Sequence, residues 1–317
     1  MTNKEKYIKF CSKEKKIPIF SKDWWLDSVC GENNWDVILI EKGEEILASF
    51  PYFKAKKVIF NIIAMPTLTQ TMGMYIKYPE NQKYEKKLSY EKDIMSQIIE
   101  LLPKVDKFSQ NFHYSYSNWL PFYWKGYNQT TRYTYVIEDL TDLEKVFANF
   151  NHAKRKNIKK SEKILTIKFD LSATDFYNNH KMTLAKQKSK ISYSFELFKS
   201  IFQNGYKNNS TKTIYAVDEN NNIHGALFVI WDDNSAYDLI STIDPDFRNS
   251  GSASLLIKEA ITYVSTKTNK FDFEGSMIEN VEQSFRQFGA IQKPYFRITK
   301  TNSKLLKIRS LLKEVIK

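Results

Sequence analysis

Asp244-Pro245-Asp246-Phe247-Arg248-Asn249-Ser250-Gly251-Ser252-Ala253 is the stretch on which the fold is decided. It joins an apolar run at 235–243, read as a strand, to a helical pattern at 251–266. In that pattern Ala253, Ile257, Ala260, Ile261 and Val264 recur on one face. A helix start offers unpaired amide N–H groups and the positive end of its dipole. Small residues let the backbone approach a ligand closely. The turn is therefore expected to hold an anion such as a pyrophosphate, with Arg248 adding a charged fork. Two familiar phosphate loops are excluded. Gly-Lys-Ser/Thr is missing, and the dinucleotide pattern needs three glycines where only Gly251 stands. The competing reading is an ordinary strand-to-helix turn capped by Ser250.

Outward from the turn, the chain repeats a pattern. Strands at 213–218 and 223–231 flank the polar Glu219-Asn220-Asn221-Asn222, a hairpin signal, and a short strand at 270–274 follows the helix. In the first half, strands at 35–41 and 46–53 flank Lys42-Gly43-Glu44-Glu45. A strand at 58–64, a helix at 90–102 stopped by Pro103, and a strand at 108–115 follow. The residues do not match between halves, so only the pattern repeats. The first-half loop Gln70-Thr71-Met72-Gly73 has no equivalent of the 248–253 turn. Between the halves a helix starts at Thr141-Asp142, buries Leu143, Val146, Phe147 and Phe150, and continues as a basic run over 152–163. A second connecting helix spans 174–186, and 302–317 alternates apolar and basic residues at helical spacing. The expectation is an α/β (α+β) fold of two tandem domains, 1–140 and 141–317, each a mixed sheet flanked by helices.

Composition sets the outer limits. The 317 residues are 42% hydrophobic and 15% aromatic, which suits two folded cores and excludes disorder. No run of about 18 apolar residues is present, and the lysine-rich start has no apolar h-region, so a cytoplasmic location is expected. The net charge of +12 means either attraction to anions or a lysine-rich compositional bias. Cys11 and Cys30 match no metal or redox spacing, and His113, His152, His180 and His224 form no ligand pair, so no metal is expected.

The residues left after these exclusions, Arg248, Gly251 and Ala253, resemble the Gln/Arg-x-x-Gly-x-Gly/Ala turn with which the GNAT acyltransferase superfamily binds the coenzyme A pyrophosphate. Three further segments resemble its Fem-type, two-domain branch. They are Trp119-Leu120-Pro121-Phe122-Tyr123-Trp124-Lys125-Gly126 leading to 131–135, Lys154-Arg155-Lys156-Asn157-Ile158-Lys159-Lys160, and 271–276 leading to 285–290. The resemblance spans about 20–300 and implies tandem GNAT-like domains with the donor in the second. It implies an N-acyltransferase that moves an acyl group, foremost acetyl from acetyl-CoA, to an amine of an amino sugar, nucleotide-linked sugar or amino acid in cell-envelope or polysaccharide biosynthesis. The alternative is an aminoacyl-tRNA-dependent peptidyltransferase. The long coiled-coil arm frequent in glycine-adding members is absent, since no heptad run is sustained. A third alternative is a non-catalytic anion, nucleic-acid or membrane-surface binder.

The chemistry needs a base for an ammonium near pKa ~10 and donors for an oxyanion. On a strand at 270–274, Phe271 and Phe273 share one side and Asp272 and Glu274 the other. Glu274 is the expected base, with Asp272 behind it and Asp238 a weaker candidate; a solvated or lysine-paired face is the other reading. Tyr295 is the expected proton donor to the leaving group, as the resemblance implies, or a packed aromatic. Arg248, Asn249, Ser250, Gly251, Ser252 and Ala253 are the expected donor-binding residues. On the acceptor side stand Arg155, which the resemblance places against phosphates, together with Lys186, Tyr193 and Trp124. The basic run also reads as a solvated helix face, and Trp124 as packing.

Overall fold

The computed structural model describes residues 1–275 and 277–315. Contacts divide the chain into Met1–Arg132 with Pro294–Lys317, and Tyr133–Lys293. The second unit therefore ends near 293, whereas the sequence suggested one domain from 141 to the end. The tail returns because strand 291–301, which was not read from sequence, pairs with a strand of the first unit.

The first unit opens with α1 (Asn3–Lys13), held by a Thr2–Glu5 capping box, and α2 (Asp23–Cys30). A meander follows: β1 (Trp35–Lys42), β2 (Glu45–Lys57) and β3 (Phe60–Ala64), antiparallel throughout. The short β4 (Tyr75–Ile76) pairs with β2. Helix α3 (Tyr84–Leu101) leads to β5 (Lys107–Phe112), parallel to β3. α4 (Leu120–Trp124) precedes β6 (Asn128–Ile137), which runs out into the second unit. Two cores sandwich β1. Ile38 and Ile40 face α3, while Val37 and Leu39 lie beneath α1 and α2. That is why four consecutive apolar residues are buried there. Cys11 and Cys30 are free thiols in the second of these cores, and burial pushes both up to about 12.

The second unit begins with α5 (Leu143–Ala148), capped by Asp142, and α6 (His152–Ser161), capped by Asn151. The sequence suggested one continuous helix; the chain breaks at 149–151 and is recapped. Then come β7 (Thr166–Phe169), α7 (Ala173–Lys186), α8 (Phe195–Lys207), β8 (Thr211–Val217), β9 (Ile223–Trp231) and β10 (Ala236–Ile243). α9 (Ser252–Val264), β11 (Phe271–Asp272), α10 (Glu279–Arg286), β12 (Ile291–Thr301) and α11 (Lys304–Val315) complete the chain. β8, β9 and β10 form an antiparallel meander, and β11 joins β10 in parallel. This is the order and the direction of β1, β2, β3 and β5. Each meander-plus-parallel-strand is then extended by an antiparallel strand, β12 on β5 and β6 on β11. β9 is buried almost throughout. Leu227, Val229 and Trp231 pack in the core with α9, and Phe228 meets Phe176, Phe198 and Phe202 of α7 and α8.

Candidate active site

The 244–253 turn is built from both ends. β10 delivers Asp244, whose carboxylate accepts from the Asp246 amide at 3.0 Å and caps a 3-10 turn over Pro245–Ser250. Gly251 then takes φ +84° and leads into α9. A Cβ at Gly251 would lie 2.5 Å from Ser161 Oγ and 2.8 Å from the Asn157 carbonyl oxygen, so glycine is required by space as well as by φ. The amides of Gly251 and Ala253 have no hydrogen-bond partner among the described residues. They lie at the positive end of a 13-residue helix, where an anion is favoured.

α6 is docked on this turn. Ser161 Oγ lies 2.8 Å from the Ser250 carbonyl oxygen, and Lys160 Nζ donates to the Asn249 carbonyl at 2.7 Å. The basic run and the turn, separate in the sequence, are one surface. Its exposed cations are Lys156, Lys159 and Lys160 on α6 and Arg248 on the turn. Lys186 secures the other side of the turn. Its Nζ lies 2.8 and 2.7 Å from the two oxygens of Asp244 and 2.6 Å from Asp246.

Beside the turn the sheet parts. β10 and β11 pair only at Ala236–Phe271 and Tyr237–Asp272. β10 continues to Ile243 on β9 alone, with a register shift between Asp238 and Ile240 where the strands separate. Three carboxyl groups gather here. Thr134 Oγ1 and the Glu274 amide both donate to Asp272 Oδ1, the amide at 2.8 Å. Ser241 Oγ serves Asp238, 2.7 and 2.6 Å from its oxygens. Glu274 Oε1 is buried without a hydrogen-bond partner among the described residues. Burial, followed by the charges of Asp272 and Asp238, holds the Glu274 carboxyl far above the usual carboxylate range. Burial lifts Asp238 to about 6, with the Ser241 hydroxyl opposing. Burial thus favours the protonated form of both acids, and more strongly at Glu274. Among the described residues no group of three or more His, Cys, Asp or Glu could hold a metal ion.

The sequence expected Asp272 and Glu274 to share a strand face. The strand ends at Asp272, because Glu274 and Gly275 are left-handed at φ 59° and 66°. The two acids meet through the Glu274 amide instead, and Phe271 and Phe273 both enter the core. Ser276, in the same segment, lies outside the described residues. Arg155 is exposed, its guanidinium 3.3 Å from the Ala148 carbonyl oxygen. Its neighbour Lys154 is buried instead: Nζ donates to Ser284 Oγ at 2.8 Å, sits 4.3 Å from the Phe288 ring centroid, and is lowered by burial to about 8. Tyr193, expected in a loop, packs with Tyr177 and Phe198, and its hydroxyl lies 2.8 Å from His180 Nδ1. Trp124 is exposed on α4, and Tyr295 is buried on β12; both belong to the first unit. Sequence reasoning missed Asn157, Lys160 and Ser161 as the support of the turn. It ranked Asp238 low, although a lone acid within a largely buried strand is itself a signal.

No family model matches the chain, and no curated protein matches it. Solved structures do. FemX matches with a TM-score of 0.69 at 9% identity, over 93% of this chain and 96% of that one. This chain has the fold of FemX. A conserved protein of unknown function from Bacteroides thetaiotaomicron matches with a TM-score of 0.56 at 11% identity, over 94% and 97%. So does the C-terminal domain of a protein assigned as a lysylphosphatidylglycerol synthetase from Agrobacterium fabrum, at 0.54 and 11%, over 99% and 95%. At these identities the likeness establishes the fold alone.

Proposed function

We propose that the protein is an N-acyltransferase that binds an acyl-CoA by its pyrophosphate on the 248–253 turn and acylates a small-molecule amine. The observation that carries this is the pairing of two features in one unit: a helix start with open amides, and a strand parting lined by buried acids. The first suits a pyrophosphate. The second can admit an extended acyl arm and manage protons. In the reaction the amine nitrogen bonds to the thioester carbonyl and the C–S bond breaks. Asp238 takes the first proton from the ammonium, Glu274 gives its own to the departing thiolate, and the carboxylate so formed takes the second proton from the nitrogen as the amide forms. Asp272 holds the Glu274 backbone in place. Acetyl is the simplest donor group, and the amine of an amino sugar, nucleotide-linked sugar or amino acid in cell-envelope or polysaccharide synthesis is the proposed acceptor. Arg155 is exposed, with one guanidinium nitrogen donating to the Ala148 carbonyl, and is the proposed partner for a phosphate on the acceptor.

Thermal shift and calorimetry with coenzyme A, acetyl-CoA and longer acyl-CoAs test the donor. A ligand at about 100 times its Kd adds roughly 2.7 kcal/mol of stability, and Gly251→Glu is expected to abolish that gain. No response to any coenzyme A species at low salt would sink the proposal.

A second reading, an aminoacyl-tRNA donor, is favoured by one observation: α6, which docks on the turn through Lys160, carries further exposed cations in Arg155, Lys156 and Lys159. It requires tRNA binding that weakens steeply with salt as counterions are released. Binding that is flat with salt excludes it.

A further inference from the structure

One end of the sheet in the first unit carries features that the donor site does not use. The β2–β3 hairpin tip is Lys56-Lys57-Val58-Ile59. Asp106, just before β5, ties that tip to the start of α11. The Asn61 amide donates to Asp106 Oδ2 at 2.9 Å, the Asp106 amide to the Asn61 carbonyl at 2.8 Å, and the Asn302 amide to the Asp106 carbonyl at 2.8 Å. The end of α3 reaches the same place through 102–106. Six aliphatic side chains are exposed on these elements: Val58, Ile59, Leu101, Leu305, Ile308 and Leu312, from 55% at Ile308 to 80% at Val58. On α11 their spacing of three and then four residues makes one stripe.

Single exposed aliphatics are ordinary on a protein surface; six at one end of a sheet are not. Val58 sharpens the point. It is β-branched and sits at φ +59°, where Gly or Asn would be easier. Stability of the hairpin does not account for it. Six cations surround the aliphatics: Lys56, Lys57, Lys104, Lys304, Lys307 and Arg309. None has an ion-pair partner among the described residues. The acids on these elements are Asp106, bonded as above, Glu100 beside Leu101, and Glu314 near the end of α11.

We infer that this end of the first unit docks on an anionic phospholipid surface. The aliphatic tip and stripe enter the acyl boundary, and the cations meet the headgroups. Charge decides among occupants. A second copy would bring the same cations against these. A nucleic acid would want stacking partners, and the six exposed apolar side chains are all aliphatic. No helix among the described residues is long and apolar enough to cross a membrane, so the contact is peripheral. The inference is independent of the donor site.

Cosedimentation of the full chain with sucrose-loaded vesicles tests it. Vesicles of equal parts phosphatidylcholine and phosphatidylglycerol are expected to bind at least ~10-fold more strongly than phosphatidylcholine alone. The binding falls as ionic strength passes ~0.15 M. Val58→Ser with Ile59→Ser, and separately Leu305→Ser with Ile308→Ser, are each expected to lower the partition coefficient ~10-fold. Lys56→Gln with Lys57→Gln lowers it on the anionic vesicles only. All three pairs are exposed, so an unchanged thermal midpoint certifies folding. Equal binding to neutral and anionic vesicles, no binding to either, or serine variants that bind like the wild type would overturn the inference. So would serine variants that abolish self-association in sedimentation velocity while vesicle binding persists, which would make the patch a contact between copies.

Discussion

Asp238 shows how a single buried acid couples stability to chemistry. Its folded pKa is about 6, against about 3.9 for an unfolded aspartate. The folded chain therefore binds the proton longer than the unfolded chain does. Stability falls as pH rises through that window, and the full penalty is present above about 6. Two units correspond to roughly 3 kcal/mol. Asp238→Asn removes the titration while retaining shape. It is expected to be more stable than wild type at about pH 7.5, by up to ~3 kcal/mol, with the difference closing near pH 4. Urea unfolding at several pH values reads this directly. The same variant should lose ~100-fold or more in kcat, because it cannot accept the ammonium proton. A variant that is stabilised yet fully active would remove Asp238 from the proton path. Asp238 was visible in the sequence as the one acid of its strand. Its pKa was not, because that depends first on burial, which tertiary packing sets, with the Ser241 hydroxyl opposing.

At the scale of elements, the donor turn depends on helices that are distant in sequence. α7 contributes Lys186, which grips Asp244 and Asp246 rather than facing an acceptor. The Asp244 side chain is only 4% exposed, so Lys186→Met leaves a buried carboxylate without its cation. The lysine itself is a third exposed, so solvent screening tempers the loss of stability. Loosening the turn should also weaken coenzyme A binding by ~10-fold, since its amides are no longer preorganised. Adding Asp244→Asn should recover part of the stability. Calorimetry and urea unfolding of the single and double variants check both; an unaltered Kd would restrict Lys186 to a purely structural tie. The strand-to-helix turn and the start of α9 were legible, because caps, small residues and apolar spacing are local signals. The docking of α6 was not, because Lys160 and Asn249 are joined only by tertiary packing. α8 carries a cap at Ser194 and a stripe of Phe198, Ile201 and Phe202, both local signals, yet it was not read from the sequence.

At the scale of the whole molecule, the repeated pattern proved to be a repeated topology, since apolar alternation and hairpin turns are set locally. The division near 293 was hidden, because a strand such as β12, with charged and polar residues interleaved, gives a weak signal until its partner is known. The two copies differ where function would require it. In the first unit β3 and β5 also pair over only two positions. There, however, the parting is occupied by the chain itself. The Asn111 amide meets Met65 Sδ at 3.2 Å, its side chain donates to the Gln70 carbonyl at 2.8 Å, and the Met72 amide donates to the Asn111 carbonyl at 2.8 Å. In the second unit the corresponding edge of β10 beyond Tyr237 has no strand partner among the described residues. Under the proposed function, one donor site per chain is expected. Amide hydrogen exchange tests this without knowledge of the acceptor. Saturating acetyl-CoA is expected to slow exchange at 238–256 and at 156–162 while leaving 65–73 unchanged. Calorimetric stoichiometry should be near one. Ligand binding slows exchange only where it suppresses local opening, so the pattern separates a filled parting from an open one. Equal protection of 65–73, or a stoichiometry near two, would mean that the first unit opens its own parting and that the donor site is not confined to the second.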